Sequence, residues 1–289
     1  MFFVLAVSSM FAFALQNTLL VRYARSMDGL SLAFYRNISF TVTLLPLLLL
    51  SSVEDILAVF SLWPWLLLSG FTGGAALWLM FTAYRYIPVG VARSFGRATT
   101  TVLMGVAGIV VLQEHIAKEK LVLIACIVAI SIWLGAQRNP MKHLNNHLAN
   151  GVLLVIAASA LISVTKFALT ILSRTVDPLS SAYFWEISIA FSTVIIGMLR
   201  LLIIGKKPQR ISMKMFLGIA ACASPTLIGT GAYALAVTLG PVVITEAIGG
   251  GAPIVAALLA HWMYQEKLTR HQWIAIALIL AAIVGLKFI

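Results

Sequence analysis

The sequence predicts an all-α membrane protein of ten transmembrane helices, arranged as two inverted five-helix repeats. Three observations carry this: the composition, ten apolar runs of spanning length, and an internal repeat with an odd number of runs per copy. Of the 289 residues, 61% are hydrophobic and 10% charged. A soluble domain carries roughly 25% charged residues, so this chain cannot cover its surface with polar groups and lipid must be its solvent. A net charge of +11 is no sign of nucleic acid binding here, because the basic residues sit in short loops and form no continuous basic face.

A bilayer core ~30 Å thick needs ~20 mostly apolar residues per spanning helix. Ten runs qualify: 2–21, 31–51, 62–85, 90–112, 120–137, 150–172, 178–200, 213–237, 241–263 and 270–289. The first has no basic leader and no small-residue cleavage site, so it reads as a retained helix. Pro46, Pro225 and Pro253 fall inside runs, where neighbouring helices or water can satisfy the carbonyls they free. Cys126 and Cys222 read as buried small apolar residues, not a disulfide or metal pair. His143 and His147 lie four apart in a polar loop with no carboxylate at ligand spacing. No metal and no cofactor is expected.

Asp28-Gly-Leu-Ser31 aligns with Asp177-Pro-Leu-Ser180, Pro88-Val-Gly-Val-Ala92 with Pro241-Val-Val-Ile-Thr245, and Gln113-Glu114 with Gln265-Glu266. Three matches in one order define two units, 1–138 and 148–289, joined by the loop 139–147. Because each unit holds five runs, the second copy enters the membrane from the opposite side. Such inverted repeats are a device of secondary transporters.

The order and spacing of Ala33-Phe-Tyr-Arg36, Ala83-Tyr84 before Pro88, and Pro253 through Gln265-Glu-Lys-Leu268 resemble the drug/metabolite transporter superfamily, in its form with two EamA-type domains. The resemblance spans the whole chain. It implies carriage of small metabolites by alternating access, in the cell (inner or plasma) membrane. Two departures stand out. Thr101 occupies the place of Pro253 in the first copy, and the loop Ser52-Val-Glu-Asp-Ile56 is acidic where the family is commonly basic. The family also implies cytoplasmic termini, whereas the loop charges argue the reverse. The side reached after the first run holds Arg22, Arg25, Arg138, Lys142, Arg200, Lys206, Lys207, Arg210, Lys214, Lys267 and Arg270, against Lys118, Lys120, Arg174 and Lys287 on the other. The positive-inside rule then puts both termini outside.

Ionisable residues inside spans are functional candidates by default. Arg85 and Arg93 lie near enough to one interface to snorkel, whereas Arg36 and Arg97 lie roughly 8–10 Å deep at the helical rise. Arg93 and Arg97 share one helix face. Arg36, Arg93, Arg97, Asn17, Asn37, Lys166 and Trp185 are the candidate substrate-binding residues. Arginine suits carboxylate or phosphate, which its planar fork can hold with two hydrogen bonds. The expected substrate is a small anionic or zwitterionic, amino-acid-like metabolite held by Arg97 and Arg36. Trp185, Tyr183, Tyr35, Trp78 and Tyr233 are candidate walls or plain packing residues. Glu246, preferred for its place on the glycine-rich stripe Gly249-Gly-Gly251, and Glu186 are candidates for proton coupling, one of them pairing Lys166; exchange without an ion is the alternative.

Backbone depth places Arg97 and Glu246 in opposite halves of the bilayer, roughly 10 Å apart, so no bond between them is expected. Glu114 and Glu266 read as helix-end residues. An integral membrane enzyme or an accessory membrane protein is the competing class. No HExxH, GxSxG or Walker motif supports the enzyme. The expected partners are a small-molecule substrate and the lipid bilayer, in a monomer or homodimer.

Overall fold

The computed structural model describes residues 1–24, 26–84, 86–87, 89–137, 147–205, 207–265 and 268–288. Arg25, Arg85, Pro88, Lys206, Glu266, Lys267 and the loop 138–146, with Arg138, Lys142 and His143, lie outside the described residues. Every regular element among the described residues is a helix. In chain order they are α1 (Phe2–Ala24), α2 (Gly29–Thr43), α3 (Leu45–Leu48), α4 (Val53–Phe60), α5 (Trp63–Ala83), α6 (Val89–Val110), α7 (Lys118–Gln137), α8 (His147–Thr175), α9 (Pro178–Ile204), α10 (Met213–Ala223), α11 (Thr226–Leu239), α12 (Val242–Gly249), α13 (Ala252–Tyr264) and α14 (Arg270–Phe288).

Among the described residues, seven stretches are long and apolar enough to cross a membrane: Phe2–Ala24, Trp63–Ala83, Ala149–Thr175, Pro178–Ile203, Met213–Leu239, Val242–Met263 and Arg270–Phe288. The three other expected runs are helical too but fall outside that set. Run 31–51 is divided at Leu44 between α2 and α3, α6 carries Arg93 and Arg97, and α7 opens on Lys118-Glu119-Lys120. The acidic loop after α3 forms the short helix α4, closed by a capping box in which Ser52 and Asp55 bond each other's backbone amides.

The interior prolines break helices because they lack an N–H and crowd the preceding turn. Pro46 lies just beyond the α2–α3 break, Pro225 parts α10 from α11, and Pro253 follows the Gly250-Gly251 gap between α12 and α13. Thr101, standing where a proline would, leaves α6 unbroken from Val89 to Val110.

The aligned motifs do the same local work in both copies. Asp28 caps α2 by accepting from the Ser31 amide, and Asp177 caps α9 by accepting from the Ser180 amide. Partial burial works to raise both carboxyl groups, but hydrogen bonds from Ser31 and Arg200, and from Ser180 and Ser51, outweigh it and hold both below the ordinary carboxylate range. α6 begins one residue after Pro88 and α12 one residue after Pro241. Gln113 and Gln265 are the two non-glycine residues with positive φ among the described residues, each at 54°. Such a left-handed conformation is uncommon outside glycine, and here it ends the fourth run of each copy.

Helix packing follows small residues. α5 lies against α8 and α9, where a Cβ on Gly70 would come within 2.8 Å of the Ser188 carbonyl oxygen and one on Gly73 within 2.7 Å of Ile189. Close backbone approach of this kind is how helices associate in lipid, where no hydrophobic force separates helix from solvent. Ser69–Ser188 and Thr72–Thr165 hydroxyl bonds at 3.1 and 2.7 Å tie the same faces. α1 packs on α11 and α13, α6 on α8 and α12, α2 on α9 and α10, and α14 on α7. Large apolar side chains such as Leu49, Leu50, Leu202, Ile203 and Trp262 remain exposed around the outside. Cys126, expected buried, is exposed on α7, and Cys222 is half-buried.

Candidate functional site

A cavity of about 210 Å³ lies among α1, α2, α5, α6, α8 and α13. Its polar lining is Asn17, Arg36, Tyr84, Arg93, Arg97 and Thr100; Leu20, Leu77, Met80, Phe81 and Pro253 are among its apolar walls. Arg93, Gly96, Arg97 and Thr100 fall at three- and four-residue intervals on α6, so one helix face supplies them all. Of the candidate binding residues, Asn17, Arg36, Arg93 and Arg97 come together on this lining.

Behind Arg97 sits a buried ionic knot. Glu246 is fully buried on α12 and accepts from the Lys166 ammonium at 2.6 Å. Its second oxygen, Oε2, stands 3.4 Å from Nη1 of Arg97. This corrects the expectation that Arg97 and Glu246 lie too far apart in depth to meet. Backbone depth left out the reach of two long side chains, which together cover the gap, and the break in the helix that carries Glu246. Arg97 also donates from Nε to the carbonyl of Gly249 at 2.8 Å. That carbonyl is free because α12 ends there. The Gly250 carbonyl accepts from Ser131 at 3.3 Å, and the Glu246 carbonyl, already bonded by the Gly250 amide at 2.9 Å, accepts from Thr101 as well at 3.2 Å. Side chains of the first copy thus satisfy the broken helix of the second, as irregular backbone at membrane depth requires. Gly249 is obligatory for this: a Cβ there would lie 1.6 Å from Nη2 of Arg97. The Tyr233 ring lies 4.9 Å beneath the Lys166 ammonium.

Arg36 is held on its other side. Its Nη1 donates to Asn37 Oδ1 at 2.8 Å, and Asn37 in turn donates to Thr193 at 2.8 Å. Gln16, its amide oriented by the surrounding donors, accepts from Nε and Nη2 of Arg36 at 2.8 and 3.0 Å. The guanidinium also stacks 4.5 Å over Phe40. Glu186 accepts from Thr230 at 2.9 Å, has no ion pair within 4 Å among the described residues, and lies in the field of Arg36. Asp28, in the loop before α2, pairs with Arg200 at 3.1 Å. Arg93 differs from the rest: its Nε is buried without a hydrogen-bond partner, and its guanidinium carbon stands 5.9 Å from the Tyr84 ring.

The aromatic walls are not those anticipated. Trp185 is buried in the core and donates to the Thr165 carbonyl at 2.8 Å; Tyr35 bonds the Gln209 carbonyl at 2.9 Å and Tyr183 the Thr41 carbonyl at 3.3 Å. Trp78 is exposed. Tyr84 and Phe81 line the cavity in their place. Asn37 and Lys166 stand behind the lining, Asn37 holding Arg36 and Lys166 holding Glu246. Sequence reasoning missed Thr230, Thr193 and Thr100, which carry no signal beyond helical spacing, and met Tyr84 only as part of a family motif.

Glu114 is a helix-end residue, as expected, but it acts on the other copy. Its two oxygens accept from the Val242 and Val243 amides at 2.9 and 3.1 Å, and it pairs with Arg174 at 2.6 Å. Arg174 also donates to the carbonyls of Val237 and Gly240. A carboxylate at a helix N-terminus complements the free amides and the dipole. Val243 fills the space beside Gly108, so α6 and α12 pack closely at this end.

An all-helical integral membrane protein with a cationic internal chamber is the class these features define. The profile of the EamA-like transporter family matches residues 1–135 and 149–288, and the chain belongs to that family, a membrane transporter family of the drug/metabolite superfamily. No curated protein matches the sequence significantly. A solved crystal structure is similar in fold, with a TM-score of 0.75 at 16% identity over 98% of this chain and 94% of the other.

Proposed function

We propose that the chain carries a small organic metabolite bearing a carboxylate or phosphate across the membrane by alternating access, with the anion seated between Arg93, Arg97 and Arg36. The observation that carries this reading is the buried, unpartnered Nε of Arg93 in a chamber it shares with two further guanidinium groups. Three such groups in low dielectric are costly without a counter-charge, and a bound anion supplies it. Arg97 and Arg36 are already engaged by protein groups, so Arg93 is the principal anchor. Arg93→Ala is expected to reduce uptake into proteoliposomes by about tenfold to a hundredfold, the worth of a charged hydrogen bond. Arg93→Lys is expected to retain part of it. Unchanged uptake in Arg93→Ala protein that inserts normally would refute this assignment.

The two units are read as inverted five-helix repeats forming ten spans. Supporting this, the aligned caps, helix starts and left-handed glutamines recur, and the packing pairs α1 with α11 as it pairs α8 with α5. The chamber lies toward the C-terminal ends of α1 and α5, while the Glu114–Arg174 contact lies toward the opposite end, an inequality of the two ends that supports alternating access. Glu186 is the coupling candidate the geometry favours, since Glu246 is paired twice. The loop charges place the termini outside. Reporter fusions should put the 139–147 loop in the cytoplasm and the C-terminus outside; both on one side would end the inverted-repeat reading, and the reverse placement would end the charge argument.

A further inference from the structure

Resting on the carrier reading above, we infer that the chamber is built for a divalent organic anion, a dicarboxylate or a phosphate monoester, and not for an amino-acid zwitterion. The argument is a charge count. Arg36, Arg93 and Arg97 share the chamber and Lys166 joins Arg97 through Glu246, so four positive charges meet two negative ones, those of Glu246 and of Glu186 in the field of Arg36. Two positive charges are left over among the described residues. Guanidinium groups do not lose their protons in proteins, and protonating either glutamate would only widen the excess. A monoanion leaves one buried charge unbalanced, whereas a dianion leaves none.

The lining points the same way. An α-ammonium group needs a carboxylate or several acceptors facing the ligand, yet no Asp or Glu lines the cavity among the described residues. Glu246 is turned away behind Arg97 and Lys166, and Glu186 toward Thr230. A zwitterion would therefore set its ammonium against three guanidinium groups, and like charges at short range in low dielectric repel strongly. The volume of about 210 Å³ equals roughly seven waters at ~30 Å³ each, which suits a short carbon skeleton. Leu20, Met80 and Phe81 provide its apolar contact.

The test uses purified full-length protein in liposomes at about pH 7.5, where a phosphate monoester with a second pKa near ~6 is a dianion. Four probes are compared as competitors and as transported species: succinate, glycerol 3-phosphate, butyrate and alanine. Succinate or glycerol 3-phosphate is expected to act at concentrations at least about tenfold below butyrate and alanine, a single charged contact being worth that much, and the two dianions separate carboxylate from phosphate recognition. Equal or better action of butyrate or alanine would overturn the divalent inference and leave the carrier reading standing. Movement of none of the four would overturn both. In Arg93→Gln protein, one positive charge fewer should narrow the preference for dianion over monoanion; an unaltered ratio would refute the charge count.

Discussion

Glu246→Ala is expected to lower the thermal stability of the detergent-solubilised protein more than any other single substitution in the site. It strands the Lys166 ammonium, which now meets the carboxylate at 2.6 Å, and removes the 3.4 Å partner of Arg97. Breaking a buried pair from one side leaves an uncompensated charge and costs about 3–5 kcal/mol. Lys166 has nowhere to go, being nine-tenths buried above the Tyr233 ring. Removing both charges together, as Lys166→Met with Glu246→Gln, takes away the stranded ammonium, so the double variant should be more stable than Glu246→Ala alone. A double variant no more stable than the single would show that the two groups do not act as a pair. Thermal unfolding monitored by loss of the monodisperse peak on size exclusion gives the measurement.

The sequence revealed much of this arrangement in outline. The arginine pair on α6, the depth of Arg36 and the glycine run beside Glu246 are each visible from spacing alone. The caps at Asp28 and Asp177 were visible as a repeated motif, though their role as helix starts needed backbone geometry. Pairing was not legible, for a specific reason. Depth counted along ideal helices treats each span as a rod, yet the second copy's fourth span stops at Gly249 and resumes at Ala252. The backbone carbonyls around that break receive Arg97, Thr101 and Ser131, an arrangement that no residue count contains. Glu114 shows the same limit from the other direction. Its position at a helix end was evident, but its bond to the α12 amides depends on how the copies dock.

The missing proline at Thr101 makes the two fourth spans unequal, and the inequality is put to use. An unbroken α6 presents Arg93 and Arg97 on one rigid face, while the broken α12–α13 offers free carbonyls to the facing helix. A matching break in α6 would free carbonyls of its own beside the arginines and disturb their spacing. The chamber is therefore lined with cations by the first unit and braced by the second, which accounts for its asymmetry of charge.

Gly249→Ala is expected to abolish transport while leaving the protein folded. The added methyl would sit 1.6 Å from Nη2 and 2.8 Å from Cζ of Arg97, so the guanidinium must leave its seat. Arginine is flexible, and the backbone need not move; the loss is the charged hydrogen bond to the Gly249 carbonyl and the contact with Glu246, about 1.5–3 kcal/mol for such a bond. Displaced into the cavity, Arg97 would occupy the space proposed for substrate. The substitution should therefore act through one side chain alone. In an Arg97→Ala background, where nothing opposes the methyl, Gly249→Ala should add almost no further destabilisation, and the energies should be strongly non-additive. Thermal unfolding of the four proteins in that cycle, with uptake measured on each, separates the outcomes. Additive stability losses, or full transport in Gly249→Ala, would mean that the seat of Arg97 on α12 does not govern the site.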